Sequence, residues 1–270
     1  MKLYADGVAY HLTIHQSENS LPYLILFHGF MGSGKAFYPL IDELKPFCNP
    51  VTIDLAGHGQ TKAPAKKEIF YADRQVYQLK SILDRLSLNR LYAFGYSMGG
   101  RLLFQLITTY PDLFEGAIFE STHCGLTSEK ERKHRIAVDE LRAESIQSNF
   151  DKFLNEWMDL PLFQHTPNSA RKTYRNIMKS QDPECMAASL RGFGAGSMPP
   201  VCDKLQDVQF PLYLIAGEYD KKYVDRMDSI SKLSNDSTFQ VVGKAGHRVH
   251  TDQPDTWIEI LKTFITKHYV

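Results

Sequence analysis

The feature that most constrains this chain is a recurring pair of patterns: short, almost wholly apolar runs of strand length, separated by stretches with helical periodicity. Leu21 to Phe27 reads LPYLILF and ends at His28-Gly29; Val51-Thr52-Ile53, Leu91 to Phe94, Gly116 to Phe119, Leu212 to Ala216 and Phe239 to Val242 repeat the pattern. A run that is apolar at successive rather than alternate residues is buried on both faces, as in a central strand of a parallel sheet. Between several runs, apolar residues recur at helical spacing, as in Tyr77, Leu79, Ile82, Leu83 and Leu86, or Leu102, Leu103, Leu106 and Ile107. This alternation predicts an α/β fold, a mostly parallel sheet flanked by helices. Only the start differs: Val8 to Ile14 alternates apolar and polar residues behind Asp6-Gly7, which predicts an antiparallel hairpin.

The alternation fails between residues 122 and 200. That stretch is charged and helix-prone, clearest in Glu129 to Arg142 and Phe150 to Trp157, and it closes on the breaker-rich Gly192 to Pro200. We therefore expect a core domain built from residues 1–121 and 201–270, with residues 122–200 inserted as a helical cap. The charges balance, 31 Lys+Arg against 31 Asp+Glu in 270 residues, so the basic stripe that sequence-independent nucleic-acid binding requires is missing. No run approaches the roughly 18 apolar residues of a membrane span, and Met1 to Gly7 lacks the apolar centre of a signal peptide. The expectation is a cytoplasmic protein with no nucleic-acid partner and no stable membrane association. Cys48, Cys124, Cys185 and Cys202 contain no C-x-x-C pair, which excludes a zinc ribbon and predicts four reduced thiols. His247 and His250 lie three apart without a third ligand at metal spacing, so no metal is expected, and nothing calls for a cofactor.

The chemistry is concentrated at the strand ends. Gly95-Tyr96-Ser97-Met98-Gly99-Gly100 follows an apolar run and opens a helical one, the context that a G-x-S-x-G nucleophile elbow requires. Glycines at 95 and 99 allow close backbone approach, so that Ser97 is held out at the sheet's edge. An acid and then a histidine should follow in chain order; Asp220 lies just past Leu212 to Ala216, and His247 just past Phe239 to Val242. In that arrangement His247 takes the Ser97 proton while Asp220 orients the imidazole. The main-chain N–H groups of Phe30, after His28-Gly29, and of Met98, at a helix start, would form an oxyanion hole.

His28-Gly29, Asp54-Leu55-Ala56-Gly57-His58-Gly59, Gly95 to Gly100 and Ala245-Gly246-His247 together resemble the α/β-hydrolase superfamily, over nearly the whole chain, with the helical insertion where that superfamily carries its cap. Further residues resemble one branch of it, the 2-succinyl-6-hydroxy-2,4-cyclohexadiene-1-carboxylate synthases of menaquinone biosynthesis. They are His28 to Gly32, Gly95 to Arg101, Glu120-Ser121 with Gly125-Leu126, Glu131-Arg132 with Arg135, Trp157 with Pro161 and Phe163, and Ala245-Gly246-His247 with His250. This resemblance implies a carbon–oxygen lyase that eliminates pyruvate from a tricarboxylate, 2-succinyl-5-enolpyruvyl-6-hydroxy-3-cyclohexene-1-carboxylate, with Ser97 as base rather than nucleophile. It implies substrate-binding roles for Arg101, Arg135, Tyr96 and Trp157, and aligns Lys179 where the family often has a third arginine. Arg101 lies one helical turn beyond Ser97 in a helix that should be buried, and a buried guanidinium needs an anion. Either a structural acid such as Glu120 or a substrate carboxylate meets that need.

Other readings remain. A serine carboxylesterase or thioesterase uses the same triad, and predicts a mainly apolar pocket with Arg101 paired structurally. Gly29 to Lys35 fits the G-x-x-x-x-G-K of a nucleotide-binding loop, although Ala36 stands where the loop needs a hydroxyl for magnesium. A hydrolase fold kept only as a small-molecule receptor is the third.

Overall fold

The apolar runs pair into one eight-stranded sheet in the computed structural model, which describes residues 1–16 and 18–269. The strands are β1 (Lys2–Ala5), β2 (Val8–Ile14), β3 (Tyr23–Phe27), β4 (Asn49–Ile53), β5 (Leu91–Tyr96), β6 (Gly116–Glu120), β7 (Leu212–Gly217) and β8 (Ser237–Val242). Their order across the sheet is β1-β2-β4-β3-β5-β6-β7-β8, antiparallel for the first two pairings and parallel for the rest. The hairpin forms as the sequence predicts: Ala5 pairs with Val8 across Asp6 at φ 46° and Gly7 at φ 77°, a two-residue turn with both central residues left-handed.

Every second residue of a strand faces the same side. Leu24 and Leu26 of β3 therefore join one core with Phe94, Trp257 and Leu261, and Ile25 and Phe27 join another with Leu79, Leu102 and Leu106. The longer helices are α1 (Ala72–Leu86), α2 (Met98–Thr109), α3 (Glu129–Ser148), α4 (Phe150–Met158), α5 (Asn168–Lys179), α6 (Pro183–Phe193), α7 (Lys221–Ser231) and α8 (Pro254–His268). Helices α1 and α2 supply one core and α8 the other, so both faces of the sheet are covered. Helices α3 to α6 all fall between β6 and β7. Their starts are signalled locally: the Ser128 hydroxyl accepts from Glu131 N–H before α3, and the Asp182 carboxylate accepts from Glu184 and Cys185 N–H before α6.

From β3 the chain first steps outward to β4 and then returns to β5 on the other side. The carboxyl ends of β3 and β5 thus flank the point where strand order reverses, where a crevice opens in sheets of this kind.

The expectation of four reduced thiols fails for one pair. Cys124 and Cys202 form a disulfide, with Cα atoms 5.0 Å apart, while Cys48 and Cys185 are free and buried. The two cysteines lie 78 residues apart in sequence, but the segments leaving β6 and approaching β7 run side by side, joined by Val201 N–H to Cys124 O at 2.9 Å. Adjacency created by an insertion returning to its starting point carries no sequence spacing to read.

Candidate active site

Ser97 sits at φ 52°, ψ −110° between β5 and α2, a conformation that a non-glycine residue adopts only when its surroundings enforce it. They do. A Cβ on Gly99 would lie 2.4 Å from Phe27 O, and one on Gly95 would lie 2.6 Å from Gly100 Cα, so the turn closes only with glycine at both places. Ser97 N–H donates to Glu120 O at 2.9 Å, and the Thr122 hydroxyl donates to Ser97 O at 2.7 Å. Both ends of the residue are thereby fixed to the end of β6.

The loops after β7 and β8 bring Asp220 and His247 to it. His247 Nε2 is 3.0 Å from Ser97 Oγ, and Nδ1 is 2.6 Å from Asp220 Oδ2. Because the carboxylate accepts a hydrogen bond from Nδ1–H, the Nε2 lone pair faces the serine hydroxyl, the tautomer needed to accept a proton from it. Phe30 and Met98 both line the cavity at Ser97. The Phe30 loop is anchored by His28: Leu55 N–H donates to Nε2 at 3.0 Å, so the ring proton sits on Nδ1, which donates to Gly29 O at 2.8 Å. Burial pushes the His28 pKa down to about 4, and the ring is neutral there.

The cavity has a volume of about 260 Å³, and its ionic lining is one-sided: Arg101, Arg135, Arg142, Lys222 and Arg248 against a single acid, Asp220, already committed to His247. Arg101 is buried. Its Nη1 donates to Phe193 O at 2.9 Å and its guanidinium lies over the Phe193 ring at 5.3 Å, but no carboxylate pairs with it among the described residues. Burial, reinforced by Arg135, pulls its pKa down to about 10. Glu120, the structural partner that sequence allowed for it, is instead held 2.6 Å from His250 Nδ1. Burial opposes a charge on His250, but Glu120 and Tyr174 outweigh it and raise the pKa to about 9.

Arg135 lines the cavity while its Nε donates to both oxygens of the buried Asp139 at 2.9 Å. Arg142 reaches the same carboxylate at 3.4 Å and lies 5.2 Å over the Trp157 ring. Burial, then Arg226 and Arg135, lower the pKa of Lys222. Tyr96 is buried with its ring edge-on to His247 at 5.4 Å, and Trp157 stands edge-on to Phe30 at 5.5 Å; both line the cavity.

Lys179 does not join them. The buried face of α5 is Tyr174, Ile177 and Met178, and one residue further the helix has turned by about 100°. The Lys179 side chain is accordingly 68% exposed and faces Asp151 at 4.0 Å. Three cavity cations escaped the sequence reading, although two carried a signal. Arg142 is Arg135 plus seven, two turns along the same helix face, and Arg248 directly follows the triad histidine. The glycine-rich loop after β3 is also engaged, with Gly34 N–H donating to Asp54 Oδ1 at 2.7 Å, which withdraws that N–H from any phosphate.

Comparison with known proteins bears on the family and the fold. The family model described as alpha/beta hydrolase fold matches residues 22–254. A Bacillus subtilis (strain 168) protein, provisionally named 2-succinyl-6-hydroxy-2,4-cyclohexadiene-1-carboxylate synthase, is 34% identical over 97% of this chain and 96% of its own length. A Salmonella heidelberg (strain SL476) protein of the same name, unqualified, is 26% identical over 89% of this chain and 94% of its own. Among solved structures, MenH from S. aureus superposes with a TM-score of 0.90 at 28% identity, covering 97% of this chain and 99% of that one. A thermophilic esterase from Thermogutta terrifontis reaches 0.83 at 21% identity over 97% and 95%, a likeness of fold.

Proposed function

The chain belongs to the alpha/beta-hydrolase fold family, and from that premise we propose that it is the lyase of menaquinone biosynthesis that eliminates pyruvate from 2-succinyl-5-enolpyruvyl-6-hydroxy-3-cyclohexene-1-carboxylate. The observation that carries this reading within so broad a family is the unpaired, buried Arg101 in a cavity with five cationic residues and one acid. A neutral ester gains nothing from such a lining, whereas a trianion is favoured by it, its carboxylates supplying counter-charges to the unpaired cations.

Residues 122–200 act as the cap, contributing Arg135, Arg142 and Trp157, and the core contributes the triad. His247, oriented by Asp220, takes the Ser97 proton, and Ser97 Oγ takes the proton from ring carbon 2, which bears the succinyl group. The electron pair left on carbon 2 delocalises into the succinyl carbonyl, whose oxygen is stabilised by Phe30 and Met98 N–H. As it returns, the 3,4 double bond shifts to give the 2,4-diene and the carbon 5–oxygen bond breaks. The departing enolpyruvate takes a proton from the His247 imidazolium and tautomerises to pyruvate, so atoms and charge balance. Arg101 and Arg135 hold substrate carboxylates, Tyr96 and Trp157 wall the ring, and no cofactor enters. The reaction belongs in the cytoplasm; no helix among the described residues is long and apolar enough to cross a membrane.

The test offers the purified protein this cyclohexene substrate and a short p-nitrophenyl ester in parallel, with Ser97→Ala as control. Ser97-dependent pyruvate release with poor ester turnover is expected. Efficient ester cleavage without pyruvate would keep the triad and overturn the substrate.

A further inference from the structure

Arg248 is the most deeply buried cation of the cavity, 2% exposed, and the described residues provide it with no ion pair. Its guanidinium is sandwiched between Phe163 and Tyr174, 3.8 and 3.9 Å from the two ring centroids. Those faces offset part of the cost of burying the charge. They do so perpendicular to the guanidinium plane, whereas its N–H groups point within the plane, where rings accept nothing. Nε and Nη1 are buried and have no hydrogen-bond partner.

The nearby acids are all engaged elsewhere. Glu120 holds His250 at 2.6 Å and Asp220 holds His247 at 2.6 Å, while Asp252 accepts from Gly246 N–H at 2.8 Å through Oδ2 and keeps a buried, unpartnered Oδ1; none of the three comes into ion-pair range of Arg248. A buried cation with unsatisfied in-plane donors, its plane fixed by two rings and lining a cavity, is prepared for an acceptor that arrives from outside. Arg248 also lies apart from Arg101. Arg101 packs against Phe193 and Met198, whereas Arg248 packs between Phe163 and Tyr174 and reaches the Tyr96 phenol. The cavity therefore has two cationic poles, one beside α2 and the cap, the other beside the loop that follows His247.

We propose that Arg248, clamped between Phe163 and Tyr174, is a carboxylate-binding site at the pole opposite Arg101, so that ligands with two separated carboxylates bridge the cavity. This deepens the function proposed above and rests on it only for the identity of the natural ligand. The site takes over the role that the sequence alignment placed on the solvent-exposed Lys179.

The experiment uses the full-length protein and a stable probe, benzoate carrying an ortho succinyl chain, together with its two monomethyl esters. Binding is measured by titration calorimetry for the wild type, Arg248→Met and Arg248→Lys, and pyruvate release from the cyclohexene substrate is measured alongside. Methionine matches the slot between the rings and removes the charge. Loss of a charge-assisted pair should weaken diacid binding and raise KM by roughly 10- to 100-fold, with kcat changed by less than about threefold and Arg248→Lys intermediate. In Arg248→Met one of the two esters should bind as well as the diacid, because the carboxylate it masks has already lost its partner. Unchanged probe affinity and KM in a variant that merely melts at lower temperature would overturn the proposal and leave Arg248 as packing. If Arg248→Met does not fold, the wild type decides: both esters must bind more weakly than the diacid, and an ester that binds equally well leaves one pole without a carboxylate and overturns it. A wild type that binds the probe but releases no pyruvate overturns the lyase reading and leaves the site standing.

Discussion

At the scale of single residues, the cavity trades stability for binding. Arg101 is a desolvated cation whose charge is compensated by one carbonyl, the Met198 sulfur and one ring face, and replacing such a group with an apolar side chain of similar length is often neutral or stabilising. Arg101→Met should therefore melt no lower than the wild type, and its kcat/KM for pyruvate release should fall by roughly 30-fold or more, since truncating one partner of a buried charge pair costs about 2–5 kcal/mol. A loss of stability with little loss of turnover would make Arg101 structural. Lys179→Ala is the matching negative expectation: with the side chain in solvent, kcat/KM should stay within about twofold, as for surface changes generally. The contrast also shows what sequence reveals at this scale. Ser97, Asp220 and His247 were legible because each sits at the end of an apolar run in a fixed chain order. The cations were only partly so, because their value depends on which helix face turns inward. Lys179 and Met178 are neighbours in sequence on opposite sides of that boundary, and Arg248 was visible only as the residue that follows His247.

At the scale of elements, the elbow between β5 and α2 is held by close backbone contacts together with the Thr122 hydroxyl. The two strands that flank it were legible almost to the residue, since Leu91 to Phe94 and Gly116 to Phe119 differ from β5 and β6 only at their carboxyl ends. Those extra residues, Gly95-Tyr96 and Glu120, are the ones that carry the site. The apolar runs stop short of them because glycine and a buried acid break the apolar pattern. The close approach of α2 to β3 gives a direct test. A methyl group on Gly99 would lie 2.4 and 2.5 Å from the Phe27 and His28 carbonyl oxygens, which are backbone atoms that yield only if the elbow or the Phe30 loop moves. Gly99→Ala should cost about 1–3 kcal/mol by denaturant titration, the usual penalty for overpacking. It should also reduce pyruvate release disproportionately, because the displaced loop carries Phe30. Normal activity in a destabilised variant would show that the loop does not contribute to the reaction.

At the scale of the molecule, two ties join segments far apart in sequence. The first runs through His250, whose imidazole sits between Glu120 at the end of β6 and the Tyr174 hydroxyl on α5, at 2.6 and 2.7 Å. Folding raises its pKa from an ordinary 6.5 to about 9, so the folded state holds a proton that the unfolded chain releases. The associated stability is complete below about pH 6.5 and is lost as pH rises through 9, on the order of 3 kcal/mol over that window. Melting temperature should therefore decline between pH 7 and 9.5 in the wild type, and the decline should flatten in the paired variant Glu120→Gln/His250→Gln. An equally steep decline in both would assign the slope to other groups. The second tie is the Cys124–Cys202 disulfide, which joins the segments by which the chain enters and leaves the helices between β6 and β7. Closing a loop of 78 residues restricts the unfolded chain by about 4.5 kcal/mol in the chain-entropy model. Reduction acts on the unfolded state and leaves the contacts of the folded cavity in place. A reduced sample should thus unfold at lower denaturant concentration while its KM for the cyclohexene substrate stays the same. A raised KM on reduction would mean instead that the disulfide sets the position of the cap, and that Arg135 and Arg142 reach the cavity only while it is intact.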